Sequence, residues 1–91
     1  MLRQHLIVSG RVQGVFYRAT TRKIAAELGL TGWVRNLPNG CVEIVAEGEK
    51  SKLEQLRTWC YDGPLLANVS QVDLLSSTPA TGEFENFSVT H

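Results

Sequence analysis

"TGWVRNLPNGCVEIVAEG", residues 31 to 48, is the stretch on which the architecture of this chain turns. It holds two strand-like runs, residues 32 to 37 and 41 to 47, separated by "PNG". Asn39-Gly40 is a strong hairpin signal, because both residue types tolerate the positive φ that a tight turn requires. In the second run Val42, Ile44 and Ala46 fall on one face, which is apolar. A β-hairpin therefore sits in the middle of a chain of 91 residues.

Upstream, residues 4 to 11 alternate as well. Leu6, Val8 and Gly10 fall on one face, and His5, Ile7, Ser9 and Arg11 on the other, which reads as a strand. Residues 17 to 28 change period. Tyr17, Thr20 or Thr21, Ile24, Ala25 and Leu28 recur at helical spacing, and Gly29 suits a helix C-cap. Downstream of the hairpin, Leu53, Leu56 and Cys60 form the apolar stripe of a second helix, with Trp59 beside it. Ser51 and Glu54 offer a capping box for that helix, or Gly48 lets it begin at Glu49. Gly63-Pro64 ends it. Residues 67 to 75 and 84 to 90 read as two late strands.

The order is strand, helix, strand, strand, helix, strand, with a short terminal strand run. That is the split βαβ pattern of a ferredoxin-like α+β sandwich. Two helices are expected on one face of an antiparallel sheet, with the other face partly open or polar. Residues 1–91 are expected to form one domain, since the length leaves little room for a second.

Composition narrows the function classes. The chain is 43% hydrophobic and 20% charged, which places it with globular proteins rather than disordered ones. Nine basic residues balance nine acidic ones. A nucleic-acid binder carries a basic excess or stripe, and the largest basic group here is Arg18, Arg22 and Lys23 on one helix. No nucleic-acid partner is expected. No apolar run approaches the roughly 20 residues that span a bilayer, and the N-terminus lacks the features of a signal peptide. The cytoplasm is the expected compartment, no membrane partner is expected, and a monomer is the default. Cys41 and Cys60 form no metal-site spacing with histidines. Cys41 points away from the helices and Cys60 toward the sheet, so the two thiols are expected on opposite sides of it, unbonded.

The junction between the first strand and the first helix reads "GRVQGVFYR", residues 10 to 18. A helix N-terminus presents unpaired N–H groups and a partial positive charge. Glycine lets such groups converge into a concave nest, which binds anions. Arg18 in the first turn opposes the helix dipole by roughly 0.3–1 kcal/mol in exposed settings. An anion held between the nest and the guanidinium satisfies both. Neither G-x-G-x-x-G nor G-x-x-x-x-G-K-[ST] fits the loop, so it suggests a small phosphate group held without a nucleotide motif.

These residues carry a resemblance. "GRVQGVFYR" resembles the signature of acylphosphatases, a glycine, then Val-Gln-Gly-Val, one free position, an aromatic and an arginine. Residues 32 to 48 resemble that family's second signature, with Gly32, Val34, Asn36, Gly40, Val42 and Gly48 at matching spacing. The similarity covers nearly the whole chain and is weakest at "FENFSVTH", which ends in Thr-His where many relatives have a basic residue and a tyrosine.

The resemblance implies hydrolysis of acyl phosphates to a carboxylate and inorganic phosphate. It implies a phosphate cradle over Gln13, Gly14, Val15, Phe16 and Tyr17, using backbone N–H groups, with the Arg18 side chain as a further ligand. It implies that Asn36 positions the attacking water, with phosphate or sulfate as competing anion. Asn36 is expected on a strand beside the first one. No metal and no cofactor is expected. The carboxylate leaving group has a conjugate acid of pKa about 4, so it departs without strong acid help, and positioning and charge stabilisation remain the main needs. His5 is expected as a surface strand residue and His91 as a mobile terminus.

Two other readings fit the fold. An RNA-binding module would carry aromatics on its third strand, whereas "CVEIVAE" has none and two acids. A domain serving a larger carbamoyl-transfer assembly, as at the start of hydrogenase-maturation proteins, is also allowed by the resemblance.

Overall fold

A computed structural model describes residues 1–91. In chain order the elements are β1 (Leu2–Arg11), α1 (Tyr17–Glu27), β2 (Thr31–Asn36), β3 (Val42–Gly48), α2 (Lys50–Asp62), β4 (Asn68–Pro79) and β5 (Phe87–Val89). The hairpin forms where its turn residues place it. Gly40 takes φ 91°, and the Cys41 N–H donates to Asn39 Oδ1 at 3.0 Å. The asparagine side chain thus holds the turn that its backbone makes.

The sheet order is β4-β1-β3-β2-β5. The four longer strands pair antiparallel, as the split βαβ pattern requires. The short terminal run β5 adds a parallel strand beside β2, with Gly32 opposite Phe87 and Val34 opposite Val89. Residues 80 to 86 reverse the chain after β4, so β5 runs in the same direction as β2.

One expectation is corrected by this order. β2, which carries Asn36, does not lie beside β1, because β3 intervenes. The crossover from β1 through α1 leaves one place open, and the return strand of the hairpin fills it. β1 and β2 remain parallel to each other. Their C-terminal ends therefore meet at the same edge of the sheet, where Val8, Val42 and Asn36 stand in one row.

The core lies between the helices and one sheet face. α1 buries Tyr17, Thr21 and Ala25, and α2 buries Leu53, Leu56 and Cys60. They pack on Leu6, Val8, Val34, Val42 and Ile44. Each large aliphatic side chain so buried stabilises the fold by about 1.5–3 kcal/mol. α2 starts after Glu49, without a side-chain cap. The Ser51–Glu54 capping box is not formed, because the chain turns into the helix directly after Gly48. At Gly48 a Cβ would come 2.4 Å from Leu30 Cδ2, the end of a flexible side chain that can give way.

The opposite sheet face is polar, as expected, but its acids are covered. Glu43 accepts from Arg35 Nε at 2.5 Å and lies 2.7 Å from His5 Nε2. Burial alone would raise the Glu43 carboxyl, yet Arg35 and His5 outweigh it and hold it below its ordinary range. Glu47 is likewise depressed. Against burial, it accepts from the Thr81 and Gly82 N–H groups, each at 3.0 Å, and from the Thr81 hydroxyl at 2.8 Å. Arg3 lies 3.6 Å from it and also pairs with Glu83. Arg35 stacks over Trp33 at 5.1 Å.

Both cysteines are free. Cys60 is fully buried on the helix side, where desolvation pushes its thiol up to about 12. Cys41 is half-buried, 3.4 Å from Ser9 Oγ, a residue of the opposite β1 face.

Candidate active site

The site begins with five residues between β1 and α1. Val12 and Val15 are buried and anchor the loop from below, while Gly14 and Phe16 are exposed. Gly14 takes φ 73° and Phe16 φ 65°, ψ 20°. Two left-handed residues so close together curl successive N–H groups into a nest. For Gly14 this conformation is free. For Phe16 it costs roughly 1–2 kcal/mol, and Phe16 is the only non-glycine residue in the chain with positive φ.

The local structure holds Phe16 there. Its carbonyl accepts from the Thr20 N–H at 3.1 Å and from the Thr20 hydroxyl at 2.9 Å. The next residue, Tyr17, points into the core. Its hydroxyl donates to the Cys60 carbonyl at 2.8 Å, and its ring packs against Trp59 at 5.3 Å. Burial holds its phenol above its ordinary pKa. The Tyr17 side chain is thus the bolt that fastens the loop to α2, leaving its backbone N–H at the helix start.

None of the N–H groups of residues 13 to 18 donates among the turn, loop and cap hydrogen bonds. α1 has no side-chain cap and no acid in its first turn. The donors and the positive end of the helix are therefore uncompensated from within the protein. Arg18 adds a cation to this end. It is half-buried and makes no ion pair. A cleft of about 320 Å³ opens here, lined by Gly14, Phe16 and Arg18 together with Val12, Ala19 and Val89.

Asn36 is the last residue of β2 and stands in the row of Val8 and Val42, on the helix-facing side of the sheet. It is not among the side chains that line the cleft. Its Oδ1 is buried and has no hydrogen-bond partner within the protein. A buried amide oxygen left so costs about 1–3 kcal/mol unless something satisfies it.

Two contacts in the site were not legible in the sequence. The Gln13 side-chain amide donates to both the Leu37 and the Cys41 carbonyls, each at 2.8 Å. One nitrogen thus ties the loop to both arms of the hairpin, directly beside Asn36. Its two hydrogens match two strand-end carbonyls, and only the sheet order reveals that those carbonyls are within reach. His91 is the other. Expected as a mobile terminus, it places Nδ1 3.3 Å from Arg18 Nη1, because β5 pairs with β2 and the Thr90 N–H donates to the Val34 carbonyl. His5 lies across the sheet, in the Glu43 network, and takes no part.

Residues 4–89 match the family model for acylphosphatase. The acylphosphatase of Marinobacter nauticus is 60% identical over 89 residues, covering 98% of this chain and 96% of its own. The crystal structure of acylphosphatase from Bacillus subtilis superposes with a TM-score of 0.95 at 32% identity, covering 100% of both chains. An acylphosphatase structure from Coxiella burnetii gives 0.89 at 44% identity, covering 97% of this chain and 90% of that one.

Proposed function

The chain belongs to the acylphosphatase family, and on that premise we propose that it hydrolyses acyl phosphates by direct in-line attack of water, without metal or covalent intermediate. The observation that carries this reading is the pairing of unbonded N–H groups at residues 13 to 18 with an Arg18 that has no acid partner, on one cleft. The N–H groups of Gln13, Gly14, Val15, Phe16 and Tyr17 and the Arg18 guanidinium bind the phosphoryl oxygens. Their fixed dipoles need no reorganisation as charge spreads over the equatorial oxygens.

Asn36 holds the water through its amide. The buried, unpartnered Oδ1 supports that role, since a water hydrogen would satisfy it. The water oxygen bonds to phosphorus while the bond from phosphorus to the acyl oxygen breaks. The carboxylate leaves as an anion, and the water proton passes to the transferred phosphate, because an amide is no base at neutral pH. Inorganic phosphate or sulfate competes for the same cradle. The enzyme on this reading is a cytoplasmic monomer acting on a small molecule. No helix is long and apolar enough to cross a membrane.

The test is hydrolysis of benzoyl phosphate in the presence of chelator. Arg18→Ala and Asn36→Ala should each lower kcat/KM by about 10²–10³ while circular dichroism stays unchanged. Full activity in either variant defeats that residue's role, and loss of wild-type activity to chelator defeats the metal-free mechanism.

A further inference from the structure

The phosphate end of the cleft is polar, but the rest of it is not. Val12, Ala19 and Val89 line it together with Phe16. Phe16 occupies the one free position of the loop motif, and the residue is 75% exposed. The neighbouring Val12, Val15 and Tyr17 are buried, so the loop had apolar room to offer and Phe16 does not use it. Its left-handed backbone turns the ring outward instead, and Thr20 locks that geometry through the Phe16 carbonyl. A strained residue that projects an apolar ring into a binding cleft fits recognition rather than folding.

We propose that Phe16 is a specificity-determining residue, an apolar platform that contacts the acyl group and favours aromatic or long-chain acyl phosphates over acetyl phosphate. The inference rests on the reading of the loop as a phosphate cradle. With the phosphoryl group against the N–H groups and Arg18, the acyl group points toward the cleft mouth. There the ring and the Ala19 and Val89 side chains supply its apolar surface. A flat acyl group stacks on or against the ring edge, whereas acetyl is too short to cover it.

Phe16→Asn is the informative variant, because asparagine tolerates the left-handed backbone and replaces the apolar ring with a short amide. The ratio of kcat/KM for benzoyl phosphate over acetyl phosphate should fall by about 3- to 10-fold, the equivalent of one aromatic contact. Phe16→Trp should restore or raise it. A binding arm needs no turnover: in NMR titrations, the preference for phenylphosphonate over methylphosphonate should shrink by the same factor in Phe16→Asn. An unchanged ratio in both arms overturns the proposal, even if the variant slows both substrates equally. If the unaltered protein hydrolyses neither acyl phosphate but shows the Phe16-dependent phosphonate preference, the platform stands and the hydrolytic reading falls.

Discussion

Gln13 offers the sharpest test of how the two halves of the site are held together. Its Nε2 donates to the Leu37 and Cys41 carbonyls at 2.8 Å each, and both acceptors belong to half-buried residues that flank the hairpin turn. Each neutral hydrogen bond contributes about 0.5–1.5 kcal/mol net, so the pair contributes about 1–3 kcal/mol. In Gln13→Ala water can reach the partly exposed carbonyls, which puts the loss near 1–2 kcal/mol. For a domain of this length that lowers Tm by about 4–16 °C. Gln13→Glu should be worse than Gln13→Ala. A carboxylate has no hydrogen to give at neutral pH and would face two carbonyl oxygens. Turnover should fall in both variants, mostly in kcat, because Leu37 follows Asn36 directly and the clamp sets where Asn36 stands relative to the loop. Thermal denaturation with benzoyl phosphate kinetics reads both effects. A Gln13→Glu protein as stable as Gln13→Ala would refute the double-donor clamp, and an unchanged kcat in both would refute its link to the site.

Acid should destabilise the fold through its covered carboxylates. Glu43 and Glu47 have folded pKa values below the ordinary one, so they bind fewer protons folded than unfolded. Their contribution is present above a pH of about 4.3 and is lost as pH falls through the lower folded values. Glu47→Gln should lose about 2 kcal/mol at neutral pH and show a flatter fall in Tm between about pH 5 and 3; a parallel fall would sink the assignment. Gly32→Ala should cost roughly 3 kcal/mol or more in urea denaturation. Its Cβ would lie 1.9 Å from the Val45 carbonyl oxygen at φ 139°, whereas Gly40→Ala meets nothing within 4 Å and should cost about 1 kcal/mol. In the native protein a thiol reagent should label Cys41 and leave Cys60 untouched until unfolding, since the Cys60 thiol is buried and pushed up to about 12. Labelling of both at equal rates would contradict the packing of α2.

Much of the fold was legible because its signals are local. Asn39-Gly40 can close a hairpin without help, the 3.6-residue recurrence of Leu53, Leu56 and Cys60 needs only a helix, and the alternation of Leu6 with Val8 needs only a strand. The ambiguity at the start of α2 is also local in origin, for Ser51 could have capped the helix. It was resolved for Glu49, which holds the N-cap position in an extended conformation with no side-chain cap. The loop from Gln13 to Arg18 could be read as a candidate anion cradle from residue types alone, glycine and arginine at a helix start.

What the sequence by itself determined is the set of elements and the chemistry each can carry. Those follow from backbone propensity and side-chain type, and both are properties of short stretches. What only the tertiary structure decided is which elements adjoin. The placement of β3 between β1 and β2, the reach of Gln13 across to Leu37 and Cys41, the meeting of His91 with Arg18 and the covering of Glu43 and Glu47 all join residues far apart in the chain. Such pairs are selected by burial and by the matching of donors to acceptors across the whole sheet, and no window of sequence contains both partners.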